Sequence, residues 1–229
     1  MSRKDSVVSL DDPISRTRKR QDSPFSRLLK TRHFKGKGIV PTDEYGHYMF
    51  CGKQRSGKTV SMIWFRDYLI KKYSKKGFEV ITFSNMGFGH KVTKLTLHDI
   101  LVNIEFDPKK VYIFCIDEIQ AYFPKDTKNS SLLALIDQLT GDFSQLGKRQ
   151  IYVLSTAQVY GRLNKNLREQ CLYMVACRKS RLTNRVVNDF ISGDNIMCDD
   201  LGRWSGIPDK IWVHGLPTTK FDTHRLIVE

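Results

Sequence analysis

The most specific chemistry in the chain sits in eight consecutive residues, Gly52-Lys53-Gln54-Arg55-Ser56-Gly57-Lys58-Thr59. They satisfy the pattern GxxxxGK[ST] at each fixed position. Glycines at 52 and 57 let the backbone curl so that successive N–H groups point inward, a cradle for phosphate oxygens. Lys58 has the reach for the β- and γ-phosphates of a nucleoside triphosphate, and the Thr59 hydroxyl is suited to ligate Mg2+. Such a cradle needs a strand before it and a helix after it. An apolar run at 47–51 supplies the first. Helical spacing from Lys58 onward supplies the second, bringing the positive end of a helix dipole to the cradle.

A second group of chemistry-bearing residues lies downstream. The apolar run 111–116 ends in Asp117 and Glu118. A carboxylate at the C-terminal end of a strand beside the loop suits Asp117 to the magnesium, and Glu118 is then placed to take a proton from an attacking water. The rival reading is a pair of acids opening a helix, and the phosphate loop upstream decides against it. A third strand, 151–154, runs into Ser155-Thr156-Ala157-Gln158. Adjacent parallel strands end at one edge, so a polar residue here can sense the γ-phosphate or position the water. Gln158 is the first choice and Thr156 the second; turn chemistry is the plain alternative.

These residues must be positioned by a scaffold, and its elements are legible. Runs at 47–51, 78–83, 111–116, 151–156 and 172–176 read as buried strands. Between the first two, Met62, Phe65, Leu69 and Tyr73 recur at helical spacing over 58–76. Arg66, Lys71, Lys72 and Lys75 fall on the other faces, and Gly77 ends the helix. Residues 132–139 read as another helix, and 212–214 with 225–228 as a last pair of strands. Strands alternating with helices predict an α/β domain with a mainly parallel central sheet flanked by helices.

Composition sets the outer bounds. The chain has 229 residues, 40% of them hydrophobic, enough for one domain with a real core. No apolar run approaches the ~20 residues that cross a bilayer, and the N-terminus lacks the apolar segment of a secretory signal. The five cysteines form no CxxC pair and read as reduced thiols. The six histidines show no ligand spacing. Lys and Arg number 38 against 24 acids, a net charge of +14 that favours a polyanionic partner. Residues 1–40 hold eleven basic residues and four acids, a net +7, and read as a flexible basic arm ahead of a domain at 41–229. Arg178, Lys179, Arg181 and Arg185 form a second basic cluster, which with Lys71, Lys72, Lys75 and Lys76 would line a DNA channel or serve only as surface charge.

Taken in order, the loop at 52–59, the strand ending in Asp117-Glu118 and the Ser155-Thr156-Ala157-Gln158 strand end resemble an additional-strand P-loop ATPase of the FtsK/HerA branch. With the downstream Arg162-Leu163-Asn164-Lys165-Asn166-Leu167-Arg168, the set resembles viral and phage genome-packaging ATPases, with Zot-like ATPases of filamentous phages second. The match spans roughly residues 47–180. The resemblance implies a single ATPase domain using ATP and Mg2+, the glutamate after the aspartate favouring ATP over GTP. It implies a homo-oligomeric ring, a hexamer or pentamer, in which a neighbour supplies an arginine to the γ-phosphate. Arg149 is first among the candidates, ahead of Arg162 and Arg168. It further implies translocation of double-stranded DNA into a preformed capsid, a capsid vertex protein as partner, no integral membrane segment, and a place in the host-cell cytoplasm or at the virion's packaging vertex. The alternatives are a Zot-like ATPase extruding single-stranded phage DNA, whose relatives usually carry a membrane span, and a switch that binds ATP without hydrolysing it.

Overall fold

The computed structural model describes residues 44–86, 107–125, 145–180, 185–199 and 203–215, the backbone of 92–94, and single positions between 128 and 141. The arm at 1–40, the strand expected at 225–228 and most of the helix expected at 132–139 lie outside them.

Among the described residues, ten strands and two α-helices with defined bounds follow in the order β1 (Gly46–Cys51), α1 (Lys58–Lys75), β2 (Glu79–Ser84), β3 (Val92–Lys94), β4 (Lys110–Ile116), β5 (Ile151–Ala157), α2 (Lys165–Glu169), β6 (Cys171–Lys179), β7 (Arg185–Ser192), β8 (Met197–Cys198), β9 (Trp204–Ser205) and β10 (Lys210–Gly215). Eight of the strands form one sheet in the order β10-β7-β6-β1-β5-β4-β2-β3. Pairings from β6 through β3 are parallel, while β7 runs antiparallel to both β6 and β10.

The position of β5 governs the site. It is inserted between the loop strand β1 and the acid strand β4, pairing in parallel with both. Register puts Cys51 beside Ala157 on one side and Ile116 beside Ser155 on the other. The residues that follow each strand therefore emerge together at one edge, where open parallel sheets bind ligands.

Helix α1 covers one face of the sheet. Met62, Phe65 and Leu69 are fully buried and pack with Tyr48, Phe50, Ile113 and Leu154. A buried Phe or Leu contributes about 1.5–3 kcal/mol, so this seam holds the helix in place more firmly than helix propensity does. The helix stops where Gly77 turns to φ 84 and the Phe78 N–H reaches back to the Tyr73 carbonyl at 3.1 Å. Arg66 departs from its expected place on an outer face: it is only 9% exposed, its guanidinium bound to Asp67.

The opposite face buries Met49, Phe114, Val153, Met174 and Ile191. Among the described residues it is covered by the 3-10 turn Ile119–Ala121, by Phe123, Tyr160, Leu163 and Leu167, and by Trp204 of the β8–β9 hairpin. All five cysteines are free thiols, four of them buried. Strand β7 has no counterpart in the sequence reading, where Arg185 belongs to a basic cluster after the fifth strand; here Arg185 is exposed and opens β7. Its alternation is broken by Asn188 and Asp189, which are held by sheet neighbours: the Trp212 carbonyl accepts from Asn188, and Arg178 pairs with Asp189.

Candidate functional site

The loop after β1 has the geometry its sequence promised. Gly57 takes φ 94 and Arg55 φ 58, left-handed conformations that turn successive N–H groups to one side. A Cβ at Gly57 would come within 2.7 Å of Val186, and one at Gly52 within 2.5 Å of the Cys177 carbonyl and 2.6 Å of Ser56 Oγ. Both glycines are therefore required by space, and Gly57 by conformation too. The Gly52 N–H donates to the Ala157 carbonyl at 3.3 Å, fixing the loop's start to β5. Helix α1 opens at Lys58 with no acidic side chain in its first turn, which leaves its positive end to an outside anion.

Lys58, 7% exposed, folds its ammonium against the Lys53 carbonyl at 3.3 Å. Ser56 Oγ is buried with no hydrogen-bond partner among the described residues. A cradle with an orphaned hydroxyl, a lysine that meets only the loop's own carbonyl among the described residues, and an acid-free helix start fits the phosphates of a nucleotide. Lys53, Gln54 and Arg55 form its exposed rim.

Asp117 meets the loop directly. Its Oδ1 accepts from Thr59 Oγ1 at 3.0 Å and from Thr156 Oγ1 at 2.7 Å. Thr156 in turn accepts from the Glu118 N–H at 2.9 Å. A hydroxyl and a carboxylate converging beside a phosphate cradle are the oxygen donors Mg2+ prefers, with the remaining positions left to water and phosphate. Burial pushes the Asp117 carboxyl above its ordinary value, opposed by the two threonine hydroxyls. Glu118 sits beside it at φ 51 and ψ 49, and its carboxylate accepts from Gln120 Nε2.

The structure thus brings together Thr59, Asp117, Glu118 and Thr156 in one hydrogen-bonded network. Gln158 stands past the end of β5, half-buried, and takes no part in it. The difference is one of register: the residue after Ile116 falls beside Thr156, not two places further along. Arg149 lies ahead of β5, at the sheet edge opposite the loop, where it cannot serve the phosphate site of its own chain. Arg162 is exposed on the site's side of the sheet, while Arg168 lies over the Tyr160 ring and donates to Cys198 Sγ at 2.8 Å.

The two basic clusters do not form one surface within a chain. Lys71, Lys72, Lys75 and Lys76 end α1 at the edge where the parallel strands begin; Arg178, Lys179 and Arg185 lie at the edge where they finish. Arg178 is moreover held by Asp189 in a two-pronged pair at 3.0 Å. Arg181 lies outside the described residues.

Asn85 escaped the sequence reading. It follows β2 and bonds both backbone groups of Asp117. Its signal was available: a polar residue directly after an apolar parallel strand, the criterion already applied to Asp117 and Gln158. Among the described residues, no group of three or more His, Cys, Asp or Glu side chains is placed to hold a metal, and no helix is long and apolar enough to cross a membrane.

A phosphate loop feeding a helix, an acid strand set one strand away and a polar strand between them define an α/β P-loop NTPase fold of the additional-strand kind. No protein-family model matches the chain, and no curated protein matches its sequence. Solved structures do. The N-terminal domain of zonular occludens toxin from Neisseria meningitidis is similar at a TM-score of 0.51, with 17% identity over 71% of this chain and 93% of that one. The genome packaging NTPase B204 of Sulfolobus turreted icosahedral virus 2, in complex with AMPPCP, gives 0.42 and 11% over 73% of this chain and all of that one. The cytoplasmic domain of the type VII secretion ATPase EccC from Thermomonospora curvata gives 0.44 and 10% over 65% of this chain and 22% of that one. Of these three, the first carries the likeness, and at that identity the likeness is one of fold. The α/β P-loop fold that the resemblance implied is met by the structure.

Proposed function

We propose that the chain is a Mg2+-dependent ATPase that moves DNA, and specifically that it packages double-stranded viral DNA into a preformed capsid as a ring. The observation that carries the enzymatic part is the convergence of Thr59, Thr156 and Asp117 on one oxygen at the mouth of the phosphate loop, with Glu118 next in the chain. In this reading residues 52–59 bind the triphosphate, and Thr59 and Asp117 hold Mg2+, which supplies charge neutralisation at the phosphates. Lys58 leaves the Lys53 carbonyl for the phosphate oxygens. Glu118 leaves Gln120 and takes a proton from the attacking water. Thr156 or Gln158 registers the γ-phosphate. A neighbour's arginine completes the site, with Arg149, Arg162 and Arg168 the candidates.

DNA as the moved polymer is supported by the net charge of +14 and the two lysine- and arginine-rich edges. A capsid vertex partner and a place in the host cytoplasm or on the virion belong to the same reading. The fold likeness to the zonular occludens toxin domain favours a second one, a Zot-like ATPase extruding single-stranded phage DNA.

Steady-state ATP hydrolysis, measured without DNA and with double- or single-stranded DNA, separates these. Stimulation by duplex DNA is expected. Stimulation by single strands alone would favour the second reading, and nucleotide binding without turnover would reduce the chain to a switch.

A further inference from the structure

Strands β2 and β4 remain paired as far as Ser84 beside Cys115, and the Asn85 N–H adds one weaker bond to the Cys115 carbonyl at 3.4 Å. There the backbone ladder ends, one residue short of Asp117. The Asn85 side chain continues it. Its Oδ1 accepts from the Asp117 N–H and its Nδ2 donates to the Asp117 carbonyl, each at 2.9 Å. A primary amide is the side chain that copies a peptide group in this way, with one acceptor and one donor held side by side. Nδ2 also reaches the Tyr122 hydroxyl at 3.3 Å, beyond the 3-10 turn that follows the acid pair.

Thr156 acts from the other flank, donating to Asp117 Oδ1 and accepting from the Glu118 N–H. The Asp117–Glu118 peptide is therefore gripped from both neighbouring strands. What that grip holds is a conformation the sequence does not favour: Glu118 lies in the left-handed region, uncommon for a residue with a long side chain. Thr156 alone touches only one backbone group of this turn. The Asp117 N–H and carbonyl are held by Asn85.

We propose that Asn85 is a positioning residue for hydrolysis: it holds the Asp117 peptide in register beyond the end of the β2–β4 ladder, and so fixes the left-handed turn from which the Glu118 carboxylate is presented. It does not touch nucleotide or metal in this role. The proposal rests on the ATPase reading above for its catalytic half, and on the hydrogen-bond geometry alone for its positioning half.

The test uses the full chain with Asn85→Ala, Asn85→Asp and Tyr122→Phe. Asn85→Asp keeps an acceptor for the Asp117 N–H but loses the donor to its carbonyl. Tyr122→Phe removes the longest contact only and should behave as the native chain. Two readouts are needed. Amide hydrogen exchange at 117–119, without nucleotide, should quicken at least tenfold in both Asn85 variants. Turnover should fall by 10- to 100-fold while the Kd for a fluorescent ATP analogue with Mg2+ stays within threefold. Unchanged exchange would overturn the positioning role whether or not the protein hydrolyses ATP. Quickened exchange with native turnover would overturn its link to catalysis. Equal loss of binding and turnover would reduce Asn85 to a structural residue. A native chain that never turns over ATP would defeat the ATPase reading and leave the exchange result to decide the grip by itself. Should Asn85→Ala fail to fold, Asn85→Asp carries both readouts.

Discussion

Asp117, the metal-binding carboxylate of the proposed site, works against its own fold. Burial raises its pKa, so the folded chain holds the proton more tightly than the unfolded one. Stability from this group is thus present below the ordinary carboxylate value and is lost as pH rises through the raised one. At neutral pH the ionised carboxylate is a cost that a bound cation would offset. Asp117→Asn keeps an oxygen for Thr59 and Thr156 to donate to and removes the charge. It is expected to raise the melting temperature of the nucleotide-free protein at neutral pH, each kcal/mol relieved reading as about 2–4 °C for a chain of this size. If Mg2+ and ATP bind as proposed, the same variant should lose the stabilisation they give the native protein. Thermal melts with and without Mg2+-ATP check both halves, and a lowered nucleotide-free melting temperature would count against the account. The loop at 52–59 and the acids at 117–118 were legible in the sequence because each is a contiguous pattern whose meaning is local. Thr156 was legible only as second to Gln158, and Asn85 was not found, since their places beside Asp117 are set by strand register, a long-range property.

At the level of elements, the parallel core was readable because fully buried strands are continuous apolar runs. Strand β7 was not, its two polar residues being accounted for only by neighbours far off in sequence. The same core holds a buried polar chain. His47 on β1 is fully buried, its Nε2 2.7 Å from Ser155 Oγ and its Nδ1 3.2 Å from Cys171 Sγ, which ties β1 to both of its sheet partners. Burial lowers its pKa from 6.5 to about 3. The unfolded chain therefore takes a proton that the folded one refuses, and stability is full above pH 6.5 and lost progressively from there down to about pH 3. Urea unfolding across that window should show this slope, and His47→Gln, neutral throughout, should flatten it. An unchanged slope in the variant would mean that other groups set the acid limit.

At the scale of the whole molecule, the basic residues among those described divide by sheet edge. The edge remote from the nucleotide gathers Lys71, Lys72, Lys75 and Lys76 at the end of α1, Lys109 and Lys110 before β4, and Lys148 and Arg149 before β5. Its turns are in contact: the Gln150 side chain donates to the Pro108 carbonyl at 3.0 Å, and Lys110 pairs with Glu79 at 3.2 Å. If DNA lies along this edge, Lys75→Glu with Lys76→Glu should lower duplex affinity and reduce the slope of log K against log salt by about 2. Lys179→Glu with Arg185→Glu, at the nucleotide edge, should change the slope less. The reverse order would put DNA on the nucleotide side. Sequence order alone had joined these clusters, and only the direction of β6 and β7 separates them.

If, as proposed, the Thr59–Asp117–Thr156 cluster sets Glu118 to act on a bound triphosphate, then Glu118→Gln removes the base while keeping the shape of the side chain. Loss of a general base costs about 10²- to 10⁴-fold in turnover. That drop in Mg2+-dependent ATP hydrolysis is expected, with nucleotide affinity within a few fold of native. A Glu118→Gln protein hydrolysing ATP at the native rate would contradict the proposed role of Glu118.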